Sequence, residues 1–184
     1  MEISVEKAVE LSKKLAIEIR KDFNPDIVIG IKEGGILPAN EVSVFFSKPV
    51  YWIKVARISG EVEDRFNNDY KNADSETRKK VSQSFNETWF KSSPEIIQTE
   101  KFDFIKDKNV LVVDDAVHSG KTLDLILNHI SRFKPTVVKT AALYYVDKYQ
   151  PDFYLGKGEH RYPWSTWSKF KKDYAPYQEY LKNL

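Results

Sequence analysis

One stretch of nine residues combines two adjacent carboxylates with a turn that is rich in hydrogen-bond donors. Its members, here called the acidic loop, are Asp114, Asp115, Ala116, Val117, His118, Ser119, Gly120, Lys121 and Thr122. The apolar residues 110–113 before it predict a buried strand, and the residues after it predict a helix. Carboxylates accept hydrogen bonds from vicinal hydroxyls or hold a divalent metal, and N–H groups at a helix start bind anions. The pattern therefore predicts a site for a sugar phosphate.

The residues of the acidic loop allow two other interpretations. The Gly120-Lys121-Thr122 triplet resembles the end of a nucleotide-binding P-loop, but that motif needs a glycine five positions before Gly120, where this chain has Asp115. A P-loop is therefore excluded, and with it a kinase or another nucleoside-triphosphate enzyme. The structural alternative is that the acids and the turn only cap a helix.

A second loop follows the apolar residues 27–31 and has two adjacent glycines. This glycine loop consists of Lys32, Glu33, Gly34 and Gly35. Paired glycines let the backbone approach a diphosphate without interference from Cβ atoms, and the helix predicted next adds N–H donors. An ordinary strand-to-helix turn is the alternative. Because ligands bind beyond the carboxyl ends of parallel strands, both loops are expected at one edge of a sheet.

The elements that must position these loops alternate along the chain. Periodicity predicts helices at residues 4–23, 36–46, 75–90 and 121–133, and strands at 27–31, 50–56, 110–113 and 137–145. This alternation predicts an α/β protein with a Rossmann-like parallel sheet flanked by helices. We divide the single domain into a core at about 1–57 and 106–146, a lid or arm insertion at about 58–105, and an irregular hood at about 147–184.

Composition limits the classes of function. The net charge is only +2, which argues against nucleic acid as a partner, and the chain has no cysteine for disulfides, thiolate metal sites or thiol nucleophiles. The first residues lack the apolar core of a signal peptide, and no apolar run approaches the length of a membrane span. We therefore expect a cytoplasmic protein without a nucleic-acid or membrane partner.

Residues 110–123 resemble the motif with which the type I phosphoribosyltransferase family binds phosphoribosyl pyrophosphate. Residues 25–39 resemble the pyrophosphate loop of that family, and residues 151–154 and 162–165 resemble its hypoxanthine, guanine and xanthine branch. The resemblance implies magnesium-dependent displacement of pyrophosphate by a nucleobase, which yields a nucleoside monophosphate. A 6-oxopurine is favoured and adenine is possible. It also implies a mobile hood over the base and assembly as a homodimer or homotetramer.

The resemblance implies roles for individual residues. Asp114 and Asp115 would contact the ribose hydroxyls and Mg²⁺, the whole acidic loop would surround the ribose and its 5-phosphate, and the glycine loop would bind pyrophosphate. Candidates for contact with the base are Tyr145, His160, Tyr162 and Trp164, and further aromatic residues able to stack on it are Phe153, Tyr154 and Trp167. His118 would act as the base that exchanges a proton with the purine, or would only bind phosphate or pack locally.

Four positions depart from the family pattern. Glu33 stands where relatives carry a basic residue, Tyr145 where they carry a lysine, and Glu159 where an aromatic ring stacks on the base. His118 replaces their loop aspartate. These departures leave a second function open, a non-catalytic protein that senses a nucleotide or phosphoribosyl pyrophosphate on the same scaffold.

Overall fold

Six strands form one sheet in a computed structural model that describes residues 2–165 and 168–182. The strands are β1 (Ile27–Lys32), β2 (Val50–Ala56), β3 (Glu95–Thr99), β4 (Asn109–Val117), β5 (Val137–Tyr145) and β6 (Phe153–Lys157). Their spatial order is β3-β2-β1-β4-β5-β6. Every neighbouring pair is parallel except β2 and β3, which are antiparallel. The predicted α/β class with a mostly parallel sheet is confirmed.

Helices cover both faces of this sheet. They are α1 (Val5–Asp22), α2 (Ile36–Phe46), α3 (Gly60–Asn72), α4 (Ser75–Lys91), α5 (Lys121–Ser131) and α6 (Lys171–Lys182), with a 3₁₀ turn at Asp103–Ile105. The helices α1 and α2 contribute to one hydrophobic cluster with Leu111 and Val113 of β4. The helix α5 contributes to the other cluster with Val110 and Val112. The strand β4 is therefore buried on both faces, as its continuous apolar run predicts.

The observed elements differ from the predicted ones at three places. The strand β4 does not stop before the acids, because its pairing with β5 continues to Val117 opposite Tyr145. The tail after Asp147 is not irregular, since it contains β6 and α6. The predicted insertion contains not only α4 but also α3 and the edge strand β3. Few of the described residues in α3, β3 and β6 are fully buried, so their apolar patterns are weaker than those of the central strands.

The helices α3 and α4 form a unit that we call the arm. They pack on each other through Phe66 and Phe85, whose ring centroids are 5.3 Å apart. The arm is connected to the sheet at both ends, by β2 before it and by β3 after it. Among the described residues, none of the helices has both the length and the apolar character that a bilayer crossing demands.

Candidate functional site

The glycine loop and the acidic loop meet in the middle of the sheet. The glycine loop lies at the carboxyl end of β1, and the acidic loop lies at the carboxyl end of β4. These two strands are direct neighbours, with Gly30 opposite Val113. From β1 the chain continues to β2 on one side, whereas β4 and β5 extend the sheet on the other side. Such a reversal of strand order opens a crevice beyond the carboxyl ends of the strands. Here the crevice is a cavity of about 1160 Å³.

Most of the predicted site residues line this cavity. From the two loops they are Lys32, Glu33, Gly34, Asp114, Asp115, Ala116, Val117, His118, Ser119, Gly120 and Thr122, and from the tail they are His160, Tyr162 and Trp164. The juxtaposition of the two loops is thus as the sequence predicts. Lys121 has an exposed side chain and is not among these lining residues. Its contribution to an anion site is its backbone N–H at the start of α5.

The two glycines of the glycine loop lie against β4. A Cβ atom on Gly34 would stand 2.5 Å from Oδ1 of Asp115, and one on Gly35 would stand 2.6 Å from the carbonyl oxygen of Val113. Neither distance leaves room for a side chain, so the close approach of this loop to β4 depends on both glycines. The Lys32–Glu33 peptide bond in this loop is cis.

Asp114 and Asp115 have different partners. Oδ1 of Asp114 accepts a hydrogen bond from the N–H of Asp115 at 2.9 Å. Oδ1 of Asp115 accepts one from the N–H of Ala116 at 2.7 Å, and its Oδ2 accepts one from Nε1 of Trp164. Tyr162 donates to the backbone carbonyl of Asp115 at 3.2 Å. Both side-chain oxygens of Asp115 therefore accept hydrogen bonds within the protein. Asp114 accepts one through Oδ1, shares a side-chain hydrogen bond with Asp115 and interacts electrostatically with Arg57, which also lines the cavity.

Burial shifts the protonation of both acids. Removal from water raises the pKa of Asp114 well above its ordinary value, the neighbouring charge of Asp115 raises it further, and Arg57 opposes the shift. Burial also raises the pKa of Asp115, against the hydrogen bond from Trp164. Two like charges that are held together out of water resist simultaneous ionisation. A ligand that brings hydroxyl donors or positive charge would therefore stabilise the ionised form of this pair.

The end of the acidic loop has the geometry of an anion site. Gly120 adopts φ +78°, a left-handed conformation that favours glycine, and α5 begins directly after it. The ring of Tyr149 covers this glycine, because a Cβ there would stand 2.0 Å from Cδ2 of the tyrosine. The N-terminus of α5 and the hydroxyl of Thr122 face the cavity together. These are the groups that bind phosphate at helix starts.

Arg57 is a residue of this site that the sequence analysis did not identify. It follows β2 directly, and its Nη2 donates to Oγ1 of Thr122 at 2.9 Å. Its Nη1 donates to the carbonyl oxygen of Ser92 at 3.2 Å, and its guanidinium carbon lies 5.9 Å from the ring centroid of Trp89. The rule that selected the loops after β1 and β4 also applies to β2, so the position of Arg57 at a strand end was an available signal.

The charge of Glu33 is balanced by a residue that the sequence analysis also missed. Nζ of Lys54 on β2 lies 3.5 Å from Oε1 of Glu33, and both residues line the cavity. Lys54 pairs in register with Lys32 on β1, so three charged residues stand together at this edge of the sheet. The carboxylate of Glu33 in the glycine loop is therefore paired with a lysine from the neighbouring strand.

The residues predicted to contact a base have different positions relative to the cavity. The ring of Tyr145 packs edge-on against Tyr154 and below Nζ of Lys157, and Tyr145 is not among the residues that line the cavity. Tyr162 is only 2% exposed and stacks parallel to Trp164, which makes it a support for that ring. Phe153 packs in the core against Phe23. Trp167 lies outside the described residues.

Two histidines face the cavity from different elements. His160 stacks on Tyr144 with a centroid distance of 3.9 Å and donates from Nδ1 to the carbonyl of Gly158 at 3.2 Å. His118 is half-buried, and this burial lowers its pKa, while the negative charges of Asp115 and Glu159 oppose the shift. A neutral His118 is able to accept a proton near neutral pH.

The family of this chain follows from a comparison of its sequence with family models. The model of the phosphoribosyl transferase domain matches residues 4–174, and the chain therefore belongs to that family. Among curated proteins it is similar to Phosphoribosyltransferase domain-containing protein 1 of Xenopus laevis, with 33% identity over 96 residues that cover 49% of this chain and 39% of that protein. The human protein of the same name is 33% identical over 64 residues, which cover 32% of this chain and 28% of that protein. The chain thus spans less than half the length of these relatives.

Solved structures share the fold. A purine phosphoribosyltransferase from Pyrococcus horikoshii superposes with a TM-score of 0.66 at 22% identity, covering 89% of this chain and 92% of that one. A hypothetical protein from Neisseria gonorrhoeae with bound ppGpp gives 0.64 at 19% identity, covering 100% and 96%. The xanthine-guanine-hypoxanthine phosphoribosyltransferase of Helicobacter pylori gives 0.60 at 21% identity, covering 94% and 95%. The predicted type I phosphoribosyltransferase fold is confirmed.

Proposed function

We propose that the protein is a phosphoribosyltransferase that makes a nucleoside monophosphate and pyrophosphate from phosphoribosyl pyrophosphate and a purine base. The observation that carries this proposal is the opening of the glycine loop and the acidic loop into one cavity at the strand-order reversal. One loop offers close backbone approach at Gly34, and the other offers a carboxylate at Asp114 and an anion site at the start of α5. These groups match a sugar that carries a phosphate at one end and a diphosphate at the other.

In this proposal the protein acts mainly by orientation and by placement of charge. Asp114 accepts hydrogen bonds from the ribose hydroxyls, while Thr122 and the N–H groups of α5 hold the 5-phosphate. The departing pyrophosphate gains negative charge as the bond at C1 breaks, and the N–H groups of the glycine loop with Lys32 and Lys54 stabilise that charge. A ring nitrogen of the base bonds to C1 as the bond to pyrophosphate breaks, and its proton passes to His118 or to water. Fixing both ends of the sugar supplies the alignment for this displacement.

Magnesium fits this site through Asp114 rather than through the acid pair. The described residues contain no group of three or more side chains able to hold a metal by themselves. Mg²⁺ is often held by one or two carboxylates together with the phosphates of a substrate. Asp114 can supply such a carboxylate directly or through water, whereas both oxygens of Asp115 accept protein hydrogen bonds. When bound, the ion would neutralise charge on the diphosphate.

The direct test is synthesis of nucleotide. The protein, Mg²⁺ and phosphoribosyl pyrophosphate are incubated with guanine, hypoxanthine, xanthine or adenine, and the products are separated by chromatography. We expect a nucleoside monophosphate and an equal amount of pyrophosphate with at least one purine. Light scattering on the same sample measures the oligomeric state of the protein. No nucleotide from any base would reject the enzymatic proposal.

His118 gives a second prediction. Because burial lowers its pKa below the ordinary 6.5, His118 is neutral at pH 7, and kcat/KM is expected to fall only as the pH drops through a midpoint below 6.5. His118→Asn should lower kcat on the order of 10²-fold and shift the midpoint of this acidic limb. His118→Asp, which restores the residue type of the family, should keep most of the activity. An acidic limb that persists unchanged in His118→Asn would show that another group is the base.

One set of observations favours a second candidate, a protein that binds a nucleotide without catalysis. Glu159 lines the cavity at the position where relatives stack a ring on the base, and His160 is already stacked on Tyr144. The solved relative from N. gonorrhoeae holds ppGpp. Calorimetry that detects tight binding of a guanosine polyphosphate by a protein without turnover of any base would support this candidate.

A further inference from the structure

Arg57 supplies a side-chain cation beside the start of α5, where the described residues of the acidic loop supply none to the cavity. The lysine of that loop, Lys121, is exposed and is not among the residues that line the cavity. Arg57 does line the cavity, and its Nη2 lies 2.9 Å from Oγ1 of Thr122. Thr122 is the second residue of α5, so the guanidinium is placed beside the N-terminus of that helix. A phosphate that binds the helix start and the Thr122 hydroxyl would lie within reach of Arg57.

The arm holds the guanidinium in this position. Nη1 of Arg57 donates to the carbonyl oxygen of Ser92, which ends α4, and the guanidinium packs over the ring of Trp89 in the last turn of α4. These contacts restrict a long side chain that would otherwise lose conformational entropy on binding. Arg57 is half-buried, and burial lowers its pKa while the charge of Asp114 raises it. A cation that is partly removed from water gains from a strong anionic partner.

We propose that Arg57 binds the 5-phosphate of the sugar substrate, and that Trp89 and Ser92 are positioning residues for it. The inference deepens the proposed function, since it takes the 5-phosphate as the anion at α5. It also assigns a role to the arm, whose segment was predicted from the sequence only as a lid or an arm. The arm is then a support for phosphate binding, connected to the site through one guanidinium.

The test measures binding of ribose 5-phosphate and of pyrophosphate separately, by calorimetry on the whole chain. Arg57→Gln should weaken ribose 5-phosphate by roughly 10- to 100-fold, as expected for loss of a charge-assisted hydrogen bond, and pyrophosphate by several-fold less. The affinity of Arg57→Lys for ribose 5-phosphate should lie between those of the wild type and Arg57→Gln, because lysine keeps the charge but not the two-pronged arrangement of N–H donors. Arg132→Gln, which changes an exposed arginine after α5, is the matched control and should bind as the wild type does.

Unchanged affinity of Arg57→Gln for ribose 5-phosphate would overturn the proposal. A larger loss for pyrophosphate than for ribose 5-phosphate would also overturn it, because Arg57 would then belong to the other end of the substrate. Circular dichroism checks that each variant is folded.

The role of the arm is tested by a double-mutant cycle. Trp89→Leu should weaken ribose 5-phosphate binding by roughly 3- to 10-fold in the wild-type protein and should add nothing in Arg57→Gln. Losses that simply add would contradict a positioning role. Nucleotide synthesis by the wild type is scored independently, so dependence of binding on Arg57 without turnover rejects the enzymatic proposal alone. Turnover with an unaffected Arg57→Gln rejects only the present inference, and a wild type that does not bind ribose 5-phosphate rejects both.

Discussion

Replacing Asp114 by asparagine is expected to make the protein more stable at pH 7 and far less able to bind its substrate. The folded protein raises the pKa of this carboxyl well above its ordinary value of 3.8, mainly through burial and the charge of Asp115. The native state therefore favours the protonated form. Stability from this group is present below pH 3.8 and is lost as the pH rises through the raised pKa. At neutral pH the wild type carries the cost that this raised pKa imposes, and an amide carries none of it.

The amide preserves the local structure, because its Oδ1 can still accept the hydrogen bond from the N–H of Asp115. It loses the charge that strengthens two hydrogen bonds from ribose hydroxyls, and the difference between a charged and a neutral hydrogen bond is about 1–1.5 kcal/mol each. We therefore expect kcat/KM for phosphoribosyl pyrophosphate to fall about 10²-fold.

The measurement combines thermal unfolding at pH 4, 5.5 and 7 with the assay for nucleotide. The difference in Tm between Asp114→Asn and the wild type should grow with pH in favour of the variant. Asp69→Asn, which changes an exposed carboxylate on α3, is the control and should match the wild type in both assays. A variant that melts below the wild type at pH 7 would contradict the buried-charge interpretation. Undiminished nucleotide synthesis would remove Asp114 from the ribose site.

The second large effect is expected at Gly35. A Cβ atom there would stand 2.6 Å from the carbonyl oxygen of Val113 and 2.8 Å from that of Ile31, and both of these atoms belong to central strands. Backbone in the middle of a sheet cannot move aside as the end of a side chain can. The cost of Gly35→Ala is therefore about 3 kcal/mol, at the upper end of the range for overpacking. A loss of that size lowers Tm by roughly 6–12 °C in a domain of this length.

Gly156→Ala is the matched control for this prediction. A Cβ on Gly156 would stand 3.2 Å from Cε1 of Tyr144, which is a side-chain atom near the edge of the sheet. We expect a change of less than about 1 kcal/mol there. If the two variants unfold at the same temperature, the glycine loop is not seated against β4 as tightly as the structure indicates. A loop displaced by Gly35→Ala should also lose affinity for pyrophosphate.

The acidic loop illustrates what the sequence could predict about this site. Its strand, turn and helix are contiguous, so the residue types alone indicate a carboxylate beside an anion site. The pairing of this loop with the glycine loop was also predictable, because carboxyl ends of parallel strands meet at one edge. The left-handed conformation of Gly120 agrees with the turn that the sequence predicts before α5.

The contacts that the sequence did not reveal join residues that are distant along the chain. Arg57 and Thr122 are 65 positions apart, and Asp115 and Trp164 are 49 positions apart. No local pattern specifies such pairs, because they depend on how the arm and the tail return to the sheet. The packing of Tyr145 against Tyr154 and Lys157, which lie on the neighbouring strand β6, is likewise not visible in the local sequence.

The bond from Trp164 to Asp115 sets an order of events during synthesis of the protein. Asp115 leaves the ribosome 49 residues before the tryptophan that holds its Oδ2. At about 5–20 residues per second, the carboxylate waits roughly 2 to 10 s for that partner. During this interval the nascent chain can already contain both loops, yet one of its two acids is still unrestrained. Completion of this bond therefore requires that the chain has been synthesised at least as far as Trp164.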